Sequence, residues 1–392
     1  MRALALALAA ATPAAAEGWT IRPEIAVEAR VFPRAPAFDG QFDAFQGGVI
    51  LGGEAIWRSA DRDVTFRFEP YVRLDSADDE RTYADLREGS LAVARGDWEL
   101  LGGFSKVFWG VAESRNVTDV INQTDALEEI DGDEKLGQPM LRLSRRVGSG
   151  VVEAYWLPVF RERGFPGRDG RLRTDPIVDA DAARYARDGA EFAGDVALRY
   201  AGRFGDFDVG LHGFHGTNRA PRLDFDAASG RLAPFYQRLT QAGVDLQYTT
   251  GPWLLKAEAV AAEIGDDRFA ATVTGFEYTF FDVRGTGLDL GVIGEHLYDG
   301  RNQRESPATP FDNDGFAGLR LTLNDVADTE FLGGAIVDLD SGAAQFSAEF
   351  QRRIGERMLL EVEGRAFAAQ GDPLLEPLRR DHVLTVRLTR FF

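Results

Sequence analysis

The chain has 392 residues, a net charge of −19 and no cysteine, and its mean hydropathy is slightly negative. An acidic balance of this size argues against nucleic acid, which selects basic surfaces. Beyond a short apolar start, no segment reaches the roughly 20 apolar residues that a helix needs to cross a bilayer, so a helical membrane protein is excluded.

At the N-terminus Arg2 supplies a positive charge, Ala3 to Ala11 form the apolar stretch, and Ala14-Ala15-Ala16 precede Glu17. These features mark 1–16 as an export signal and 17–392 as the mature protein. The lack of cysteine fits an exported chain without disulfides.

From Trp19 onward, apolar and polar residues alternate. Ile21, Ile25, Val27 and Val31 interleave with Arg22, Glu24, Glu28 and Arg30. Val64, Phe66, Phe68, Val72 and Leu74 interleave in the same way with Arg67, Glu69 and Arg73. The pattern returns in Val244, Leu246 and Tyr248 against Asp245, and in Phe346, Ala348 and Phe350 against Glu349 and Arg353. A strand places such sets on opposite faces. A charge at every second position is costly in a soluble core and natural in a wet lumen.

Read this way, strands fall near 19–31, 45–59, 63–75, 82–95, 98–108, 139–146, 150–160, 191–203 and 206–216. They continue near 236–249, 252–264, 267–281, 285–298, 315–324, 329–338, 343–354, 357–369 and 381–392. The fold class predicted is all-β: a transmembrane antiparallel up-and-down β-barrel of about 18 strands (range about 16–18), an even number as in bacterial single-chain barrels. Links such as 59–63, 95–97, 147–150, 204–206, 250–252 and 354–356 are tight and turn-rich. The stretches 32–44, 109–138, 161–190, 217–235, 299–314 and 370–380 are long. Long and short links alternate, as extracellular loops and periplasmic turns should. Trp19, Trp98, Tyr248, Trp253, Phe280, Phe281, Phe391 and Phe392 fall at strand ends, where the membrane interface favours rings.

With the apolar set facing lipid, the expected pore lining is Arg22, Glu24, Glu28, Arg30, Arg67, Glu69, Arg73, Arg142, Arg199, Asp245, Glu349, Arg353, Arg365 and Arg387, with Lys256, Glu258, Glu361 and Glu363 on the same face. Such rows either pair across strands and stiffen the wall or set a field that orients a polar or anionic solute. Residues 109–138 are long, partly apolar and poor in Pro and Gly, which predicts an ordered loop folded into the lumen. Arg115, Asn116, Asp119, Asn122 and Asp125 are its candidate pore-facing groups. In the alternative reading, Trp109 and the Asp and Asn residues cap and anchor the loop. Glu128, Glu129, Asp131, Asp133 and Glu134, and separately Asp312 and Asp314, are oxygen-rich but lack a full calcium-loop spacing. A solvated acidic loop beside lipopolysaccharide-bound cations explains them more simply.

Phe108-Trp109-Gly110 followed by Glu113, then Asp119-x-Ile121-Asn122-x-x-Asp125 and Pro158 to Pro166, resembles a pattern in proteobacterial outer-membrane, porin-like barrels of largely unassigned function, loosely similar to alginate-export-type porins. The resemblance implies a monomeric channel with an inward loop and implies no substrate.

The function expected is a channel for passive diffusion of small polar or anionic solutes in a bacterial outer membrane. Its partners are then membrane lipid and lipopolysaccharide, and the barrel-assembly machinery, which reads the C-terminal strand with Phe392 as assembly signal. The alternatives are an export channel for a polysaccharide or other secreted molecule, and a surface receptor or adhesin with a plugged barrel. No enzyme, cofactor or metal is expected. His212 and His215 lie on opposite faces of one strand without an adjacent Ser, and His296 and His382 are isolated.

Overall fold

The computed structural model describes residues 18–392. The export signal and its cleavage site at Glu17 lie outside the described residues. In chain order the strands are β1 (Trp19–Val31), β2 (Phe45–Arg58), β3 (Val64–Asp75), β4 (Tyr83–Arg95), β5 (Trp98–Ser105), β6 (Gln138–Val147), β7 (Gly150–Leu157), β8 (Arg184–Tyr185), β9 (Asp195–Phe204), β10 (Phe207–Thr217) and β11 (Arg222–Asp226). There follow β12 (Arg231–Tyr236), β13 (Arg238–Thr250), β14 (Trp253–Ile264), β15 (Asp267–Phe280), β16 (Asp289–Asp299), β17 (Asn313–Thr322), β18 (Glu330–Asp338), β19 (Ala344–Ile354), β20 (Met358–Ala368) and β21 (Val383–Phe391).

All but β8, β11 and β12 join one 18-stranded sheet. Each strand pairs antiparallel with its neighbour, and β21 returns to β1 with Glu24 opposite Phe391 and Val31 opposite Leu384. Closure leaves no unpaired edge, which is what a strand-built wall needs in lipid. The period-2 alternation then sorts side chains. Val27, Val31, Leu74, Leu141, Leu143, Leu198, Leu211, Leu255, Leu319 and Leu388 are exposed on the outside, whereas Glu28, Arg30, Arg73, Asp245 and Glu258 are buried within. At the end carrying the short turns, aromatic side chains touch in pairs. Phe207 stacks on Tyr248 with ring centroids 4.4 Å apart, Trp253 meets Tyr278 edge-on at 4.7 Å, and Trp19 meets Phe66 at 6.1 Å. They form the ring belt of a membrane interface.

Three features differ from the sequence reading. Strands expected to reach residue 108 and residue 160 stop at Ser105 and Leu157, and those expected from 191 and 285 start at Asp195 and Asp289. The first two strands leave the wall early, and the last two join it late. Loop lengths do not alternate throughout: 76–82, 265–266 and 339–343 are short links at the long-loop end. Strand direction, not length, puts them there. Finally, β11, β12 and β8 form a small separate sheet within the long loops. Asp226 starts its hairpin turn by accepting from the N–H groups of Ala228 and Ser229.

One irregularity matters for the interior. The β3–β4 register shifts between Glu69 and Pro70, so that Glu69 faces Glu88 and Pro70 faces Leu86, leaving Arg87 as an extra residue. Pro70 has no N–H for the ladder, and a bulge is where a sheet tolerates it. The bulge turns both Arg87 and Glu88 inward: Arg87 reaches Asp125, and Glu88 accepts from the N–H of Lys106.

Candidate functional site

Residues 106–137, between β5 and β6, are held by strands on opposite sides of the barrel. On one side Glu258 of β14 accepts from the N–H groups of Val111, Ala112 and Thr118 at 2.7, 3.0 and 3.2 Å and from the Thr118 hydroxyl at 3.0 Å. Glu295 of β16 accepts from the N–H groups of Glu113 and Ser114, both at 2.8 Å, and from the Ser114 hydroxyl. A carboxylate collecting several N–H donors serves the loop backbone as a cap serves a helix start. Arg115 continues the row with a 3.1 Å ion pair to Asp299, and Glu113 takes Arg320 at 2.6 Å.

The far end of the segment is held by arginines. Asp125 accepts from Arg87 and from the Tyr83 hydroxyl, both at 2.6 Å. Glu128 lies 2.9 Å from Arg87 and 3.2 Å from Arg387. Arg81 donates to the carbonyl of Leu127, and Arg365 pairs with Asp131. Beneath these contacts Glu28 of β1 pairs with Arg73, with Arg81 at 3.3 Å and with Arg387 at 2.8 Å. Buried charges are tolerable only when matched in this way.

Between the two anchors the segment packs dry. Trp109, Val120 and Ile121 join Leu101, Met140, Tyr155, Leu157, Phe214, Leu239 and Ile264 of the wall in one apolar cluster. Trp109 lies 5.6 Å from Tyr155 and 5.1 Å from His212, with the Arg199 guanidinium 5.1 Å over its ring. Gly110 follows at φ +150°, where an added Cβ would fall 2.1 Å from Asn116 Oδ1. Only glycine fits there.

The predicted residues therefore divide. Asn122 is buried, accepting from the Val107 N–H and donating to the carbonyls of Ser105 and Leu136. Asp119 pairs with Lys135 at 3.0 Å, yet burial still holds its carboxyl above the usual range. Together with Trp109, Arg115 and Asp125, these groups anchor the segment, and Asn116 packs against Gly110. Arg199 and Asp245 form a buried pair at 2.8 Å below Trp109, and Arg142 bonds Glu99 at 2.8 Å. Arg30 bonds Gln46. Arg22 and Arg67 share Glu54, Glu69 takes Lys106, and Arg353 pairs with Asp328 at the short-turn end. Glu24 lies on the inward row of β1 near that same end, opposite Gly52 and Phe391. Phe392 ends the chain with its N–H on the Pro23 carbonyl.

Glu349, Arg365 and Arg387 come together on a cavity of about 330 Å³ between the segment and β17–β21. Its other polar lining includes Glu129, Asp131, Asp133 and Glu134 of the segment, with Arg320, Glu330, Glu361 and Glu363 of the wall. A second cavity of about 130 Å³ adjoins it, and Asp131, Asp133, Leu332, Glu349 and Arg365 line both. The run Glu128–Glu134, read from sequence as a solvated loop, is thus inside the barrel. Nothing in local composition distinguishes a carboxylate facing bulk water from one facing a wet lumen. Burial, with Glu363 nearby, pushes the Glu129 carboxyl up to about 7; burial, with Glu128 nearby, does the same to Glu134. Among the described residues, Asp131, Glu349 and Glu363 bring carboxylate oxygens within 4.8 Å of one another, and Arg365 contacts all three.

Fold and site define a transmembrane β-barrel of the outer-membrane type. No family model and no curated protein matches the sequence. Solved structures of the same fold include a BenF-like porin from Pseudomonas fluorescens Pf-5, 10% identical with TM-score 0.56 over 96% of this chain and 97% of that one. OccAB1 of Acinetobacter baumannii is 8% identical with TM-score 0.57 over 96% of each chain. Wzi, an Escherichia coli outer-membrane protein involved in group 1 capsule assembly, is 9% identical with TM-score 0.52 over 94% of this chain and 84% of that one.

Proposed function

We propose that the protein is a passive outer-membrane channel for small polar solutes, with residues 106–137 setting its width. The observation that carries this reading is the two-sided attachment of the segment. Glu258 and Glu295 hold it on one side, Arg87 and Arg387 on the other, and the charged cavities lie along β17–β21. An 18-stranded barrel without such a segment encloses a wide aqueous lumen. Solutes then pass the point where the two cavities meet, between Asp131 and Asp133 of the segment and Glu349 and Arg365 of the wall. Export of a polysaccharide, the alternative reading, demands a wider route than these cavities offer.

The test is single-channel conductance of the refolded mature protein, alone and after deletion of 112–134. The intact protein is expected to show small, steady openings, and the deletion to enlarge them severalfold. Equal conductance in the two would remove the segment from the route. A silent intact barrel would replace the channel with a plugged receptor or adhesin.

A further inference from the structure

The walls of the two cavities are not electrically balanced. Three arginines line them, and each is already committed. Arg320 is paired with Glu113 at 2.6 Å and Glu277 at 3.3 Å. Arg365 is paired with Asp131 and Glu363 and lies 3.6 Å from Glu349. Arg387 is taken by Glu28 at 2.8 Å and Glu128 at 3.2 Å. Asp133, Glu134, Glu330 and Glu361 face the larger cavity, and among the described residues none has a cationic partner within 4.0 Å. Two of these acids come from the segment and two from the wall strands β18 and β20, so surplus negative charge stands on both banks of the same space.

The smaller cavity, nearer the long loops, adds a second chemistry. Ile130 of the segment, Phe311 of a loop, and Phe316, Ile336 and Phe367 of the wall give it an apolar lining, and Asp131, Asp133 and Glu349 line both this cavity and the larger one. Apolar side chains and carboxylates thus line one continuous pair of cavities. A binding space that is largely apolar with a few placed charges favours a ligand of matching amphipathic shape.

We propose that the route selects small organic cations, amines carrying a short apolar body, and turns anions away. This deepens the channel reading and rests on it. The committed arginines hold the acidic segment in place, whereas the unpaired carboxylates supply the field that concentrates cations, as acidic rings do in cation channels.

The test uses the refolded mature protein in planar bilayers at about pH 8. Reversal potentials under a KCl gradient are expected to show potassium favoured over chloride by about tenfold, the lower end of what a cleft of one sign achieves. The quadruple variant Asp133→Asn, Glu134→Gln, Glu330→Gln and Glu361→Gln should bring that ratio close to unity. Glu99→Gln, on the β5 side of the lumen, should leave it unchanged. Independently of any variant, phenethylammonium added on the long-loop side should reduce the potassium current more strongly than methylammonium, and hydrocinnamate, with the same apolar body and the opposite charge, should not. Steady openings that favour chloride, or equal block by phenethylammonium and hydrocinnamate, overturn the cation assignment while the channel stands. Equal block by methylammonium and phenethylammonium overturns the apolar half of it. No openings at all would overturn the channel reading, and this one with it.

Discussion

The two sides of the lumen follow opposite rules within one barrel. From β5 to β15 the inward positions carry Leu101, Met140, Tyr155, Leu157, Phe214, Leu239 and Ile264, and they meet Trp109, Val120 and Ile121 in a dry core. From β18 to β21 the inward positions carry Glu330, Glu349, Glu361, Glu363, Arg365 and Arg387, and they line a cavity together with Glu129, Asp131, Asp133 and Glu134 of the segment, with Arg365 paired to Asp131. The same segment supplies both partners, apolar in its first half and acidic in its second. Apolar packing against the segment thus dominates beside β5–β14, whereas charged cavities remain beside β17–β21, next to the smaller apolar clusters around Phe316 and Phe367.

The sharpest way to break this contrast is to loosen the dry side. Trp109→Ala removes the largest buried side chain of the cluster and should cost about 3–5 kcal/mol of hold on the segment. Residues 106–121 should then become cleavable by added protease while the barrel still migrates as a folded band, and single-channel currents should rise and become noisy. A protected segment with unchanged current would show that the core does not hold it.

Glu258→Gln should act in the same direction and less strongly. The amide keeps the size but loses the charge that gathers three N–H groups, about 1–3 kcal/mol, so open-channel noise should grow with little change in mean conductance. Unchanged noise would assign the hold to Glu295 and the apolar core.

On the wet side, pH is the probe. Glu129 faces Glu363, Glu28, Arg30 and Arg387, while Glu134 faces Glu128, Arg87, Lys106 and Arg387, and both are pushed up to about 7 from the usual 4.5. A raised carboxyl loses its charge at higher pH than an ordinary one. Cation preference should therefore fall as pH drops from about 8 to about 6, well above the range in which exposed carboxylates titrate. A selectivity flat down to about pH 5 would take both groups out of the field. The smallest effect is expected from Arg353→Ala. Its pair with Asp328 is exposed at the rim, an arrangement contributing about 0–1 kcal/mol. Conductance and selectivity should not move; a clear shift in either would place the rim in the route.

The strands were legible because their signal is local. Alternation in 19–31 or 345–353 needs only the neighbouring residues to be read, and the structure returns these strands with nearly the same bounds. For Asn122 and Asp125 the sequence left pore-facing and anchoring roles both open, because the choice depends on partners such as Leu136 and Arg87 that arrive from other parts of the chain. The position of Glu129 to Glu134 was hidden for the same reason: in sequence they look like any solvated acidic run.

The sequence by itself determined a closed antiparallel barrel with lipid outside and polar groups within, since period-2 patterning and turn chemistry act over a few residues and leave one way to bury each face. Only the tertiary structure decided how the interior is divided. That depends on which side of the ring each half of residues 106–137 meets, and a carboxylate's partner there is set by distance across the lumen, which no spacing along the chain encodes.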